Sequence, residues 1–172
     1  MNTSNFEFKA KVDALEQYEQ KLLALDPLFK GTDHQTDTYF NVPQGRLKLR
    51  EGNIENALIG YSREDKPDVK QSEVVLYNHT PDPALKNILT KQLGVKAVVE
   101  KTRKIYFLGN VKFHFDHVKD LGTFLEVEAI DDKNAFTRKE LEQQCSAYFD
   151  FFALPHNSLV NGSYSDLIMA LP

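Results

Sequence analysis

The chain has 172 residues, 41% of them apolar and 27% charged, and carries a formal net charge of −4. That length suits one domain with a sizeable core, and an acidic whole gives no electrostatic reason to expect a nucleic-acid partner. Cys145 is the single cysteine, which excludes an internal disulfide and suits a reducing cytoplasm.

Charges appear early in the first nine residues and no apolar h-region follows, so the N-terminus does not read as a signal peptide. No stretch approaches the roughly 20 apolar residues of a membrane-spanning helix. The expectation is a cytoplasmic protein with no membrane partner, built as one domain over residues 1–172.

Residues 5–12 alternate strictly, with Phe6, Phe8, Ala10 and Val12 on one face and Asn5, Glu7, Lys9 and Lys11 on the other. A period of two predicts a strand. Asp13 then reads as a helix N-cap with Glu16 three residues on. Leu15, Tyr18, Leu22 and Leu25 follow at helical spacing, and Pro27 closes that helix. Residues 33–42 read as extended, Pro43-Gln44-Gly45 as a turn, 46–51 as a strand and Gly52-Asn53 as a turn. Strands at 57–63 and 72–78 flank the polar stretch 64–71.

A second helix is expected from Thr80, with Pro81 in its first turn, Leu85, Ile88 and Leu89 on its apolar side, and Gly94 as its stop. Strands 95–108, 111–118 and 123–130 follow, joined by Gly109-Asn110 and by Lys119-Asp120-Leu121-Gly122, which suit hairpins. A third helix carries Leu141, Cys145, Tyr148, Phe149 and Phe152, with Phe149, Phe151 and Phe152 packed over the sheet. A short last helix begins near Ser163. Hairpins dominate, so the class is α+β: an antiparallel sheet whose eight strands can close into a barrel wide enough for one small ligand, with helices outside.

Several strands share one design. Glu7, Lys9 and Lys11 oppose apolar residues on the first; Arg46, Lys48 and Arg50 oppose Leu47 and Leu49 on the third. Lys101 and Arg103 share a face on the sixth. Lys112, His114 and Asp116 oppose Val111, Phe113 and Phe115 on the seventh, and Glu126 and Glu128 oppose Leu125, Val127 and Ala129 on the eighth. An open sheet showing a charged face to water is one explanation. A closed barrel with these charges lining its lumen is the other. Sorting of the charges by strand, basic on the third and sixth and acidic on the eighth, favours the lumen, because solvated faces intersperse the two signs.

Such a lumen suits phosphate and metal together. Guanidinium and ammonium groups make charge-assisted bonds to phosphate oxygens. Carboxylates beside phosphate repel it unless a hard cation such as Mg²⁺ or Mn²⁺ lies between them.

The ordered set Glu7-x-Lys9-x-Lys11, Lys48-x-Arg50, Arg63, Lys101-x-Arg103, Asp116 and Glu126-x-Glu128 resembles the CYTH superfamily, the triphosphate tunnel metalloenzymes. The segments Gln35–Phe40, Gly45–Glu51 and Gly162–Leu167 add local likeness. The resemblance spans nearly the whole chain. It implies an eight-stranded tunnel that binds a triphosphate through basic residues and Mg²⁺ or Mn²⁺ through acidic ones. It further implies that Lys9, Lys11, Arg46, Lys48, Arg50, Arg63, Lys101, Arg103 and Lys112 hold substrate. Glu7, Asp116, Glu126 and Glu128 would hold metal, and Glu7, Arg63, Glu126 and Glu128 would serve catalysis.

The family motif opens Glu-x-Glu-x-Lys, and its first Glu falls on Asn5 here. Arg63 stands where Lys is common, which keeps charge but loses an amine that could be deprotonated. The implied function is metal-dependent processing of a nucleoside or organic triphosphate, as an adenylyl cyclase of class IV type or a phosphohydrolase. The alternative is a non-catalytic binder of nucleotide or polyphosphate, which Asn5 motivates. ATP, thiamine triphosphate and tripolyphosphate are the candidate small molecules, and a homodimer is compatible with either reading. His114 and His117, three apart on a strand, point to opposite faces and do not suggest zinc. Cys145 reads as core.

Overall fold

Strand β1 (Asn2–Lys11) sets the plan of the molecule: Phe6, Phe8 and Ala10 are buried on its outer side, while Glu7 and Lys9 line a cavity on its inner side. The computed structural model describes residues 2–63 and 70–172, with side chains described over 5–62 and 74–172. In chain order there follow α1 (Leu15–Leu23), β2 (Leu28–Phe40), β3 (Arg46–Glu51), β4 (Ala57–Arg63), β5 (Lys70–Asn78), α2 (Pro83–Leu93), β6 (Val95–Leu108), β7 (Val111–Val118), β8 (Gly122–Asp131), α3 (Arg138–Phe151) and α4 (Tyr164–Met169).

The strands form a closed barrel in the order β1-β5-β4-β3-β2-β6-β7-β8, and β8 returns to β1. Every pairing is antiparallel. Closure leaves no free sheet edge, which spares the barrel from edge-to-edge association.

The main apolar core lies outside the barrel wall, between β1, β7 and β8 and the helices that cover them. Phe113, Phe115, Leu125 and Val127 meet Leu15 and Leu22 of α1 and Leu141, Cys145 and Phe152 at and beyond α3. A fully buried Phe or Leu in such a layer contributes roughly 1.5–3 kcal/mol of transfer free energy. A second, smaller core of Tyr39, Val99, Val118, Phe124 and Tyr164 closes one end of the barrel beneath α4. The Cys145 thiol lies in the larger core, donates to the Phe6 carbonyl at 3.1 Å, and is pushed up by burial to about 12. It is a packing residue. No helix among the described residues is long and apolar enough to cross a membrane.

Local chemistry moves some element ends from where the sequence puts them. Ala14, not Asp13, precedes the first turn of α1, with no side-chain cap, and the helix ends at Leu23, four residues before Pro27. The second helix begins at Pro83, not Thr80. Asp82 accepts a bond from the Ala84 amide at 2.8 Å, and Pro83 then supplies a preset φ. Strand β2 begins five residues earlier than expected, at Leu28, because its extension pairs with β6 through a register shift between Phe29 and Gly31. Phe151 is 38% exposed and does not pack over the barrel as Phe149 and Phe152 do. Most of the polar stretch after β4, residues 64–69, lies outside the described residues.

Candidate functional site

The barrel encloses a cavity of about 700 Å³. One end is sealed. Ser163 caps α4 through reciprocal bonds with Asp166, and Arg46 of β3 clasps Asp166 at 2.9 Å. This docking drops Tyr164 onto the lumen, where its hydroxyl donates to Asp116 at 2.7 Å. The Lys9 ammonium sits 3.7 Å from the centre of the Tyr164 ring, a cation–π contact. The other mouth lies where β5 ends and β4 begins, among Asn56, Asn78 and His79.

Side chains of one parity reach the lumen from each strand, as the period of two requires. Lys9, Lys48, Arg50, Lys101, Arg103 and Lys112 all line the cavity, as do Glu7, His114, Glu126 and Glu128. Lys11 is exposed and Arg46 is turned to Asp166, so neither lines it. Arg63 ends β4, and its side chain is outside the described ones.

Buried carboxylates organise the cations. Asp37 of β2 accepts Arg50 Nε and Nη2 at 2.9 Å each, Lys101 at 2.7 Å and Lys48 at 3.1 Å. Burial opposes its charge, yet Arg50, Lys101 and Lys48 together hold its carboxyl well below the usual range. Asp116 takes both branches of Arg103, at 2.7 and 2.5 Å, besides the Tyr164 hydroxyl. Glu126 meets Lys9 at 3.2 Å, Arg103 at 3.1 Å and His114 Nδ1 at 3.2 Å. Burial, with Arg103 alongside, lowers His114 to about 3, so its ring is neutral near pH 7. Burial likewise drives Lys101 down to about 7, reinforced by the neighbouring Arg50, Arg103 and Lys48 and opposed by Asp37.

Two members of this network, Asp37 and Glu55, have roles that sequence reasoning did not assign. Glu55 lies on the β3–β4 turn and pairs with Arg50 at 3.1 Å and with Lys112. Asp33 aims that turn by accepting the amides of Ile54 and Glu55 at 3.0 and 2.9 Å. Gly52 lets the chain pass so close that an added Cβ would lie 2.6 Å from Asp33 Oδ1. The signal for Asp37 was present in Asp33-x-Gln35-x-Asp37-x-Tyr39, an alternation as regular as that of β1.

The β1–β8 wall is different. Glu7 stands directly opposite Glu128, and Asn5 is two pairs further along, opposite Ile130. Burial raises the Glu128 carboxyl, and the facing Glu7 carboxylate adds to this while Lys112 and Asn5 offset part of it. Asn5 donates its amide Nδ2 to Glu128 Oε1. Its Oδ1 is buried with no hydrogen-bond partner among the described residues. Those residues hold no group of three acidic, His or Cys side chains already gathered for a metal ion.

A family model for the CYTH domain matches residues 4–149. Among solved structures, a protein of Pyrococcus horikoshii OT3 superposes with a TM-score of 0.80 at 25% identity, covering 95% of this chain and 98% of its own. A candidate adenylate cyclase of Vibrio parahaemolyticus gives 0.77 at 19% identity, over 96% and 98%. An adenylyl cyclase candidate from Hippeastrum, whose dominant activity is that of a triphosphatase, gives 0.62 at 11%, over 89% of each chain. No curated protein sequence matches this chain.

Proposed function

From the premise that this chain belongs to the CYTH domain family, we propose that it is a metal-dependent enzyme that binds a nucleoside or organic triphosphate in its barrel and cleaves it. The observation that carries this reading is one cavity in which Lys48, Arg50, Lys101, Arg103 and Lys112 face Glu7 and Glu128. The phosphate chain lies along the basic side and exchanges carboxylate oxygens for its own on Arg50, Arg103 and Lys48, which bind both through charge-assisted bonds. Structural likeness to a candidate adenylate cyclase and to the Hippeastrum protein with triphosphatase activity supports the same class of chemistry.

A divalent cation, Mg²⁺ or Mn²⁺, fits the acidic wall. Glu7 and Glu128 face each other there, Glu126 is next on β8, and the orphaned Asn5 Oδ1 is a neutral oxygen donor beside them. Hard cations prefer such oxygen sets and share them with substrate phosphates. When bound, the metal supplies polarisation of the phosphoryl oxygens and neutralises charge that develops on them. Asp116 is already engaged by Arg103 and Tyr164 and serves to set the guanidinium.

The chain's own residues orient and stabilise. Arg50 and Arg103, fixed by buried carboxylates, present preorganised donors to the charge that builds on the phosphoryl oxygens. In hydrolysis water attacks the terminal phosphorus and the diphosphate leaves. In cyclisation the ribose 3′-hydroxyl of ATP attacks the α-phosphorus, loses its proton, and pyrophosphate leaves. ATP, thiamine triphosphate and tripolyphosphate, each offered with Mg²⁺ or Mn²⁺ and followed for phosphate, pyrophosphate and cyclic AMP, test this. Turnover of none, with tight binding of one, would leave the second reading: a triphosphate binder without catalysis, which Asn5 favours by removing one carboxylate from the metal wall.

A further inference from the structure

The lumen is not charged all round. Between Lys48 and Arg50 of β3 on one side and Asn5 of β1 on the other, β4 and β5 turn Ala57, Ile59, Val74 and Leu76 into the cavity. Ile54 and Ile130 continue this surface toward the mouth. Among the described side chains that β4 and β5 give the lumen, none is Asp, Glu, Lys or Arg, and His79, just past β5, stands at the rim. His79 is held there by its backbone amide, which donates to Asn56 O at 3.2 Å. Both of its ring nitrogens are shielded from water and have no hydrogen-bond partner among the described residues. A buried polar group without a partner is costly, so this is a wall that gains from a ligand.

A bare phosphate chain would leave those apolar side chains facing water and His79 unpaired. A flat ring carrying hydrogen-bonding atoms would cover both. Resting on the triphosphate reading, we infer that the β4–β5 wall and His79 form a subsite for a heteroaromatic ring joined to the triphosphate. The substrate then has a fixed polarity: its phosphates lie toward Tyr164 at the sealed end, and its ring lies at the open mouth. The cavity is of the size that holds such a molecule, within the roughly 300–1,000 Å³ of small-molecule sites, and its β4–β5 end combines an apolar wall with a few polar groups at the rim.

Isothermal titration of ATP, thiamine triphosphate and tripolyphosphate into the whole chain with Mg²⁺ tests the subsite. At least one ring-bearing triphosphate is expected to bind tenfold or more tightly than tripolyphosphate. His79→Leu should weaken that ligand about threefold to tenfold, the worth of one hydrogen bond. Leu76→Asn should weaken it similarly, and neither change should move tripolyphosphate by more than twofold. Thermal melts of both variants check that the barrel is intact. Equal losses for all three ligands, or tripolyphosphate binding as tightly as the others with the variants inert, would overturn the subsite while leaving the triphosphate reading in place. Failure of all three to bind the wild-type chain would overturn the triphosphate reading, and the subsite with it.

Discussion

Two walls of one barrel solve opposite electrostatic problems. On the β2–β3–β6 side, Asp37 sits among Arg50, Lys48 and Lys101 and accepts a bond from each, so these side chains stand fixed before any ligand arrives. On the β1–β8 side, Glu7 and Glu128 face each other, and one of them is pushed toward its neutral form. The first wall is complete as it stands; the second is improved by a positive charge it does not itself supply. An anion offered to the first wall must displace carboxylates that already fill it. A cation offered to the second relieves repulsion at once. On the proposed function, the pairing would favour a triphosphate accompanied by a divalent cation over either one alone.

The largest expected effect comes from breaking the complete wall. Asp37→Ala would strand three buried or half-buried cations, and removing one partner of a buried ion pair costs about 3–5 kcal/mol. The urea midpoint should fall accordingly; an unchanged midpoint would mean that Asp37 does not organise the wall. Arg50→Ala comes next. It removes charge-assisted bonds worth about 1.5–3 kcal/mol, so triphosphate affinity should drop roughly tenfold to a hundredfold in calorimetry. Affinity within twofold of the parent would sink the assignment of Arg50 to phosphate.

The contrast was half legible in the sequence. Strands β3, β6 and β7 fall at the ranges read from the sequence, because a charged-in, apolar-out pattern leaves only one register in which the helices can cover the outside. The acidic wall was legible for the same reason: Glu7, Glu126 and Glu128 lie on regular strands whose parity fixes their direction. Glu55 was not, because it lies on a turn whose aim depends on Asp33, some twenty residues earlier. Asp37 was visible as a polar position but not as a hub, since its partners come from β3 and β6, and strand order is a tertiary fact. Arg46 had the right parity, yet Asp166 of α4 captures it. No spacing rule foretells that competition.

Lys101 gives a smaller, pH-dependent effect. Its folded value of about 7 lies below the ordinary 10.5, so between these limits the unfolded chain holds a proton that the folded one lacks. Stability contributed by this group therefore rises with pH across about 7 to 10.5. A bound triphosphate favours the charged amine, so binding near pH 8 should draw in up to one proton. Calorimetry in buffers of differing ionisation enthalpy measures it. No uptake would mean that Lys101 keeps its charge without ligand.

The smallest expected change acts on the incomplete wall. Asn5→Glu exchanges an amide that donates to Glu128 for a third carboxylate beside two others. Without metal this adds like-charge repulsion, and the new pair titrates jointly, with one carboxyl raised further. With Mg²⁺ or Mn²⁺ it adds a charged ligand where only the Asn5 carbonyl oxygen stood. The two effects oppose each other, so the net gain in metal affinity should be only a few-fold, near 1 kcal/mol or less. Stability should divide by condition: a lower melting temperature in chelator and a higher one in millimolar metal. A variant whose melting shifts the same way in both would show that position 5 does not face the cation, and the acidic wall would then have to complete its oxygen set from substrate and water.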